Sequence, residues 1–316
     1  MINIVLCGGA GKMLWPLSAG DTPKQFIQFG TEDSLYIKTI KRNNVLCDKA
    51  DDQLRKAKLS ADIVMEPSCK GTAASIMIAC FMYPNETFLL TPSDHEISDE
   101  KAYAEAVQKA QKLAEKGNIV LFGIEPERAE HRFGYIKDGK TVQFVEKPDA
   151  EKAQELVDDG WLVNSGILCF NSSVMMHELV QFPPDQSIIA RTVYENIRSG
   201  RATHRLCGRF MGEMKKHDID KSVLERTTKL KCVKGITGWR DVGTYESIYE
   251  FRNRKEGGNL SINIGDSFGC ADFVDSSGCM VLNNEQDVVV VQTGGKVLVA
   301  HKDTDIMQAM KKLEEY

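Results

Sequence analysis

A short apolar run that stops in a cluster of glycines constrains this chain more than any other feature. Asn3 to Cys7 carries Ile4, Val5 and Leu6, the pattern of a buried parallel strand, and Gly8, Gly9 and Gly11 follow at once. Glycine has no Cβ to block an approaching group or to forbid positive φ, so a strand ending this way can bring bare backbone N–H groups up to an anion. The turn is a candidate phosphate cradle. It departs from the dinucleotide fingerprint, because the spacing is Gly-Gly-x-Gly rather than GxGxxG and Trp15-Pro16 stands where a helix would have to begin. No acidic ribose contact is evident about 20 residues on, which argues against a hydride-transfer enzyme. The turn therefore leads into a loop, and that loop carries Pro23, Lys24, Gln25 and Phe26.

Further along, strand-like and helix-like segments alternate. Helices are expected over 34–41, 48–58, 72–83, 101–116 and 152–159, and strands over 63–65, 87–90, 119–122, 142–145, 161–171 and 232–233. That order is the mark of an α/β fold. Asp94 follows the strand at 87–90, and an acidic residue at the carboxyl end of a parallel strand faces the crevice where such sheets bind ligands; the other role open to it is an Asx turn or a helix cap. Beyond about residue 258 the pattern changes to short β runs, 288–291 and 296–302 among them, with a terminal helix expected from Thr304.

The 316 residues carry a net charge of −5 with both signs interspersed, so no electrostatic footprint for nucleic acid is present and any positive site must be local. No apolar run approaches the ~20 residues of a membrane span, and the N-terminus reads as a strand rather than a signal peptide. A cytoplasmic location is expected. Nine cysteines, an odd number without a CxxC pair, suit reduced thiols better than a disulfide framework or a zinc site.

Several segments carry a resemblance. GGAGKMLWPLS at 8–18 with PKQF at 23–26, EPSCKGTAASI at 66–76, PSDH at 92–95, FGYI at 133–136, FVEKPD at 144–149, WLVNSGILCFN at 161–171, DIDKSVLE at 218–225 and GWRDVG at 238–243 occur in one order. Together they resemble the nucleotidyltransferases that make nucleotide sugars, and most closely the mannose-1-phosphate guanylyltransferases. The resemblance implies a Rossmann-like domain with a mixed, mostly parallel sheet over 1–257 and a small β-helical appendage over 258–316. It implies nucleotide contacts from Leu6, Gly8, Gly9, Gly11, Lys12, Glu66, Thr72 and Ser93. Sugar-phosphate contacts would come from Gly123, Gly134, Glu146, Lys147 and Asn164, and catalytic roles would fall to Lys24, Asp94 and Asp241. Asp94 and Asp241 would hold Mg²⁺, and the substrates would be a nucleoside triphosphate and a sugar 1-phosphate. No nucleic acid or membrane partner is implied, and the chain could act as a homodimer.

The chain also departs from the family pattern. Met13 replaces an arginine, Ala19 a second one, Lys70-Gly71 an arginine and asparagine, and Arg132 a glycine. The stretch between PKQF and EPSCKG is shorter than the resemblance leads one to expect. Met13 can offer neither charge nor hydrogen bonds, so a second reading stays open, that of a nucleotide-sugar-binding regulatory protein with little turnover. Another base or another sugar also stays open.

Overall fold

The computed structural model describes residues 1–8, 14, 18, 23–27, 33–43, 64, 66, 68–181, 184–198, 208–243 and 247, with four strands between 260 and 301. The chain divides into two compact units. The first comprises Met1–Leu6, Arg42–Pro92 and Ile97–Trp239, and the second Cys7–Lys41, Ser93–Glu96 and Arg240–Tyr316.

The first unit is built on a seven-stranded sheet. Its main path runs β1 (Ile2–Leu6), β2 (Thr87–Pro92), β7 (Leu162–Asn171), β4 (Ile119–Ile124) and β8 (Leu230–Val233). The short strands β5 (Tyr135–Lys137) and β6 (Gln143–Val145) pair with each other, and β5 also pairs with β7. The pairs β1/β2 and β4/β8 are parallel, whereas β7 runs against both β2 and β4. The sheet is therefore mixed, with the ten-residue β7 and the short β6 running against the other five strands.

Both faces of this sheet are covered, which explains why its strands are continuously apolar. Phe88, Leu90, Ile119, Leu121, Leu168 and Phe170 point to one side, against helices α2 (Thr72–Met82), α5 (Ser172–Gln181) and α6 (Pro184–Arg198). Leu89, Val120, Phe122, Ile167 and Cys169 point to the other, against Tyr103, Ala106, Val107, Ala110 and Ala114 of α3 (Glu100–Ala114). The period of two along each strand sorts neighbours onto opposite faces. Helix α3 starts where the Asp99 side chain accepts from the Ala102 N–H at 2.9 Å, and it stops before Gly117 at φ +84°. Helix α4 (Ala150–Asp158) is capped in the same way by Asp149, which accepts from the Lys152 N–H.

The second unit contains the turn Lys24–Phe26, most of helix α1 (Leu35–Asn43) and a separate four-stranded sheet of β10 (Leu260–Asn263), β11 (Phe273–Ser276), β12 (Val288–Thr293) and β13 (Lys296–His301). Phe26 packs edge-on against Tyr36 with ring centroids 5.1 Å apart. In the four-stranded sheet, β10, β11 and β12 pair in parallel and β12 and β13 form an antiparallel hairpin. Two short strands, β3 (His95–Ile97) and β9 (Trp239–Asp241), pair with each other. The helices expected over 48–58 and from Thr304 lie outside the described residues, as does the strand at 63–65 apart from Val64, which packs against the core. Among the described residues, no helix is long and apolar enough to cross a membrane.

Candidate active site

In the second unit, three side chains far apart in sequence converge. The chain leaves β2 at Pro92, turns at the buried Ser93, and presents Asp94 before β3 begins. The Val242 N–H donates to the Asp94 carbonyl at 3.3 Å, which brings Asp241, at the end of β9, alongside. Lys24 Nζ lies 2.7 Å from Asp94 Oδ2 and 3.5 Å from Asp241 Oδ1, with about a fifth of each side chain exposed. Burial works against the charge of Lys24, but Asp241 and Asp94 outweigh it and raise its pKa. Burial likewise disfavours the Asp94 carboxylate, and Lys24 and then His95 more than compensate, holding it below the usual range. His95 Nε2 stands 3.8 Å from Asp94 Oδ1.

The turn that carries Lys24 is fixed from beneath. Gln25, 2% exposed, donates from Nε2 to the Cys7 carbonyl at 3.0 Å, tying the PKQF loop to the root of the glycine turn. Gly8 is exposed, and a Cβ there would meet nothing within 4 Å. Gly9, Gly11, Lys12 and Met13 lie outside the described residues.

The first unit contains a different cluster. Strand β6 delivers Glu146, whose side chain is 9% exposed and accepts from Lys147 Nζ at 2.7 Å. The Glu146 N–H donates to Glu225 Oε1 at 2.9 Å, and Lys147 sits in the left-handed region at φ +43°. Glu225 closes a π-helical turn, Asp220–Leu224, that also brings Asp220 and Asp218 toward Lys147. Burial, then Glu146, pushes the Asp220 carboxyl up to about 7. For Lys147, burial opposes the charge, but Glu146, Asp220 and Asp218 raise its pKa overall.

Beside this cluster the Asn164 N–H donates to the Gly134 carbonyl at 2.8 Å, and Asn164 Oδ1 accepts from the Gly166 N–H. A Cβ on Gly134 would stand 2.8 Å from Glu146 Oε2 and from the Phe144 ring, so the bare backbone is what lets that carboxylate lie where it does. Gly123 is opposite Asn164 in the sheet, next to a register shift between Leu121 and Gly123, and there a Cβ would come within 2.5 Å of Leu162 Cδ1. Close packing is thus a sufficient reason for that glycine. Arg132, in place of a family glycine, is occupied locally: its Nε donates to Glu130 at 3.1 Å and its guanidinium lies 5.4 Å from the Phe133 ring centre.

Leu6 ends β1 and is partly buried. Glu66 accepts from Ser75 Oγ at 2.5 Å, and burial raises its pKa. Thr72 opens α2, and its hydroxyl accepts from the Ile219 N–H at 2.9 Å. The site residues therefore form two groups, Lys24 with Asp94 and Asp241 in one unit, and Glu146, Lys147, Asn164 and Gly134 in the other.

Asp220 and Glu225 join the second group, although nothing in the isolated residues marks them. Their signal was the DIDKSVLE segment, one of the motifs that carry the resemblance, in which neither carboxylate has a role of its own. Gln25 gave no sign of its role beyond standing in PKQF.

A nucleotidyl transferase family model matches residues 2–257. The chain belongs to the nucleotidyl transferase family. Its relatives within the family include the alginate biosynthesis protein AlgA of Pseudomonas aeruginosa, 32% identical over 99% of this chain and 72% of that protein. A mannose-1-phosphate guanylyltransferase of Escherichia coli is 30% identical over 96% of this chain and 73% of the relative. The alignment to the P. aeruginosa protein extends over 356 residues against 316 here, so that protein carries internal insertions relative to this one. A crystal structure of a mannose-1-phosphate geranyltransferase from Thermus thermophilus superposes with a TM-score of 0.83 at 25% identity, covering 99% of each chain. The α/β fold with its mixed sheet is that of nucleotidyltransferase structures.

Proposed function

We propose that this nucleotidyltransferase moves a nucleoside monophosphate, GMP from GTP, onto a sugar 1-phosphate, mannose 1-phosphate, and releases pyrophosphate. The observation that carries the proposal is the convergence of Asp94 and Asp241 on the ammonium of Lys24, across more than two hundred residues of sequence. A phosphate oxygen of the sugar 1-phosphate attacks the α-phosphorus, a new P–O bond forms, and the bond to the bridging oxygen of the β-phosphate breaks. Its electron pair leaves with pyrophosphate. The nucleophile is already an anion, so no side chain need remove a proton from it.

What the reaction demands is alignment of two anions. Unit charges of like sign at ~4 Å repel by about 4 kcal/mol at an effective dielectric of 20. In this reading Lys24 faces the triphosphate and Lys147 the sugar phosphate, while Asn164 and Glu146 take sugar hydroxyls. Glycines 8, 9 and 11 let the nucleotide lie against the backbone.

The donor set suits Mg²⁺. Asp94 and Asp241 present carboxylate oxygens to one common cationic point, and among the described residues no group of three or more His, Cys, Asp or Glu side chains could hold a metal alone. Mg²⁺ is commonly held by one or two carboxylates together with substrate phosphates and water. When bound, it would neutralise charge on the phosphates. Asp94 and Asp241 would hold it, and Asp241→Asn retaining full turnover at saturating Mg²⁺ would remove that role. The parallel pairing of β10, β11 and β12 supports reading the C-terminal sheet as a short β-helical appendage.

The decisive assay is pyrophosphate release from each of the four common triphosphates paired with mannose, glucose or heptose 1-phosphate. GTP with mannose 1-phosphate should give the highest kcat/KM. Tight binding of a nucleotide sugar without any pyrophosphate release would overturn the enzyme in favour of a regulatory binder.

A further inference from the structure

Helix α2 has an unusual start. Its capping position is Gly71, at φ +83° and ψ 168°, so the helix has no side chain of its own to cap it. The substitute comes from far away in sequence: the Ala73 N–H donates to the His217 carbonyl at 3.2 Å. Three further hydrogen bonds join the same two segments. The His217 N–H donates to the Lys70 carbonyl at 3.0 Å, the Ile219 N–H to Thr72 Oγ1 at 2.9 Å, and Lys70 Nζ to the Gly212 carbonyl at 3.0 Å. The fit leaves no space for a side chain, since a Cβ on Gly71 would lie 2.3 Å from the His217 oxygen and 2.9 Å from Asp218 Oδ1.

The far side of this contact is the approach to the turn Asp220–Leu224. Ile219, which receives the Thr72 bond, is the residue immediately before that turn. At its other end Glu225 holds the backbone of Glu146, next to Lys147. One short segment, 217–225, is thus anchored at its start to the first turn of α2 and at its end to the strand end carrying Glu146. All of these contacts lie within the first unit.

We infer that Gly71 and Thr72 are positioning residues for the sugar-phosphate side, acting through segment 217–225 to set Glu146 and Lys147. The inference rests on the functional reading above. An asparagine at 71, the residue of the family pattern, would cap the helix from its own side chain. In this chain the same substitution cannot be accommodated unless the His217 backbone withdraws, which takes the turn with it.

The test is steady-state kinetics on Gly71→Asn, Thr72→Val and Thr72→Ser, varying each substrate in turn, with thermal melts alongside. Gly71→Asn should raise KM for the sugar 1-phosphate about tenfold while KM for the triphosphate stays within about twofold, and Thr72→Val should raise KM for the sugar 1-phosphate by a similar factor, because one backbone segment is displaced or one N–H left unpaired. Thr72→Ser keeps the hydroxyl and should reverse the rise in sugar 1-phosphate KM caused by Thr72→Val. A general loss of fold would lower melting temperature and kcat without this split between the two KM values.

For Gly71→Asn, equal changes in both KM values or no change in either, and for position 72 a serine variant as poor as valine, would overturn the inference while leaving the proposed function intact. Absence of turnover by the parent chain with every substrate pair would overturn the functional reading and the inference together.

Discussion

Two clusters of the same residue types, each in its own unit, behave in opposite ways. Around Lys24, two carboxylates share one ammonium, and attraction prevails: Asp94 is held in its charged form and Lys24 in its own. Around Lys147, the carboxylates of Glu146, Asp218 and Asp220 act on one ammonium, and burial with like-charge repulsion prevails for Asp220, which is pushed up to about 7. Both clusters have an excess of negative charge, and the excess is larger in the second. The lesson is that carboxylate count says little about what a site will bind. The number of cations within reach, and the cost of desolvation, decide which groups are ionised and ready to act.

The contrast breaks first at Lys24. Lys24→Met should leave two partly buried carboxylates facing each other and cut turnover by about a thousandfold, the scale expected when a charged group serving the transition state is lost. Pyrophosphate release checks this, and a variant within tenfold of the parent would show that attraction around Lys24 has no part in catalysis.

Next in size is Gly134→Ala, whose methyl group would displace the Glu146 carboxylate or the Phe144 ring. KM for the sugar 1-phosphate should rise roughly tenfold with kcat little changed, measured with triphosphate saturating. Should KM for the triphosphate rise instead, the division of labour between the clusters is wrong.

The smallest effect concerns Asp220→Asn and sharpens the electrostatic side of the comparison. The Asp220 pKa is raised on folding from 3.8 to about 7, so the stability tied to its protonation is complete below pH ~4 and is lost as pH rises through about 7. Asparagine removes that loss. The variant's melting temperature relative to the parent should therefore climb between pH 4 and pH 7 and level off above, by a few degrees at most. A difference that is flat across this range would mean that Asp220 titrates normally.

Much of the fold was legible because both faces of the central sheet are buried. The apolar runs at 87–90 and 119–122 and the mostly apolar 161–171, short and flanked by turn residues, read as interior strands, and the glycine-ended run at 3–7 behaves alike. The reversal of β7 was not legible, since an apolar strand does not announce its direction. At the site, Asp94 stood out by its place after a strand and Asp241 only by its motif, and their meeting at Lys24 is a matter of tertiary structure.

Glycines were the hardest to interpret. Gly123 and Gly134 look equivalent as letters, yet one makes room for Leu162 and the other for Glu146. Gly71 reads as a lost side chain, and its φ of +83° together with the close approach of His217 explains why none is present. Asp220 and Glu225 went without roles because their effect depends on neighbours from β6 some eighty residues away.

The bond from Gln25 to the Cys7 carbonyl has a practical consequence. Because Gln25 follows Lys24 directly, a ligand that shifted Lys24 would act through this bond on the peptide group where the glycine turn begins. An isotope-labelled carbonyl at position 7 would then act as a built-in strain gauge, its infrared or magnetic resonance frequency moving with occupancy.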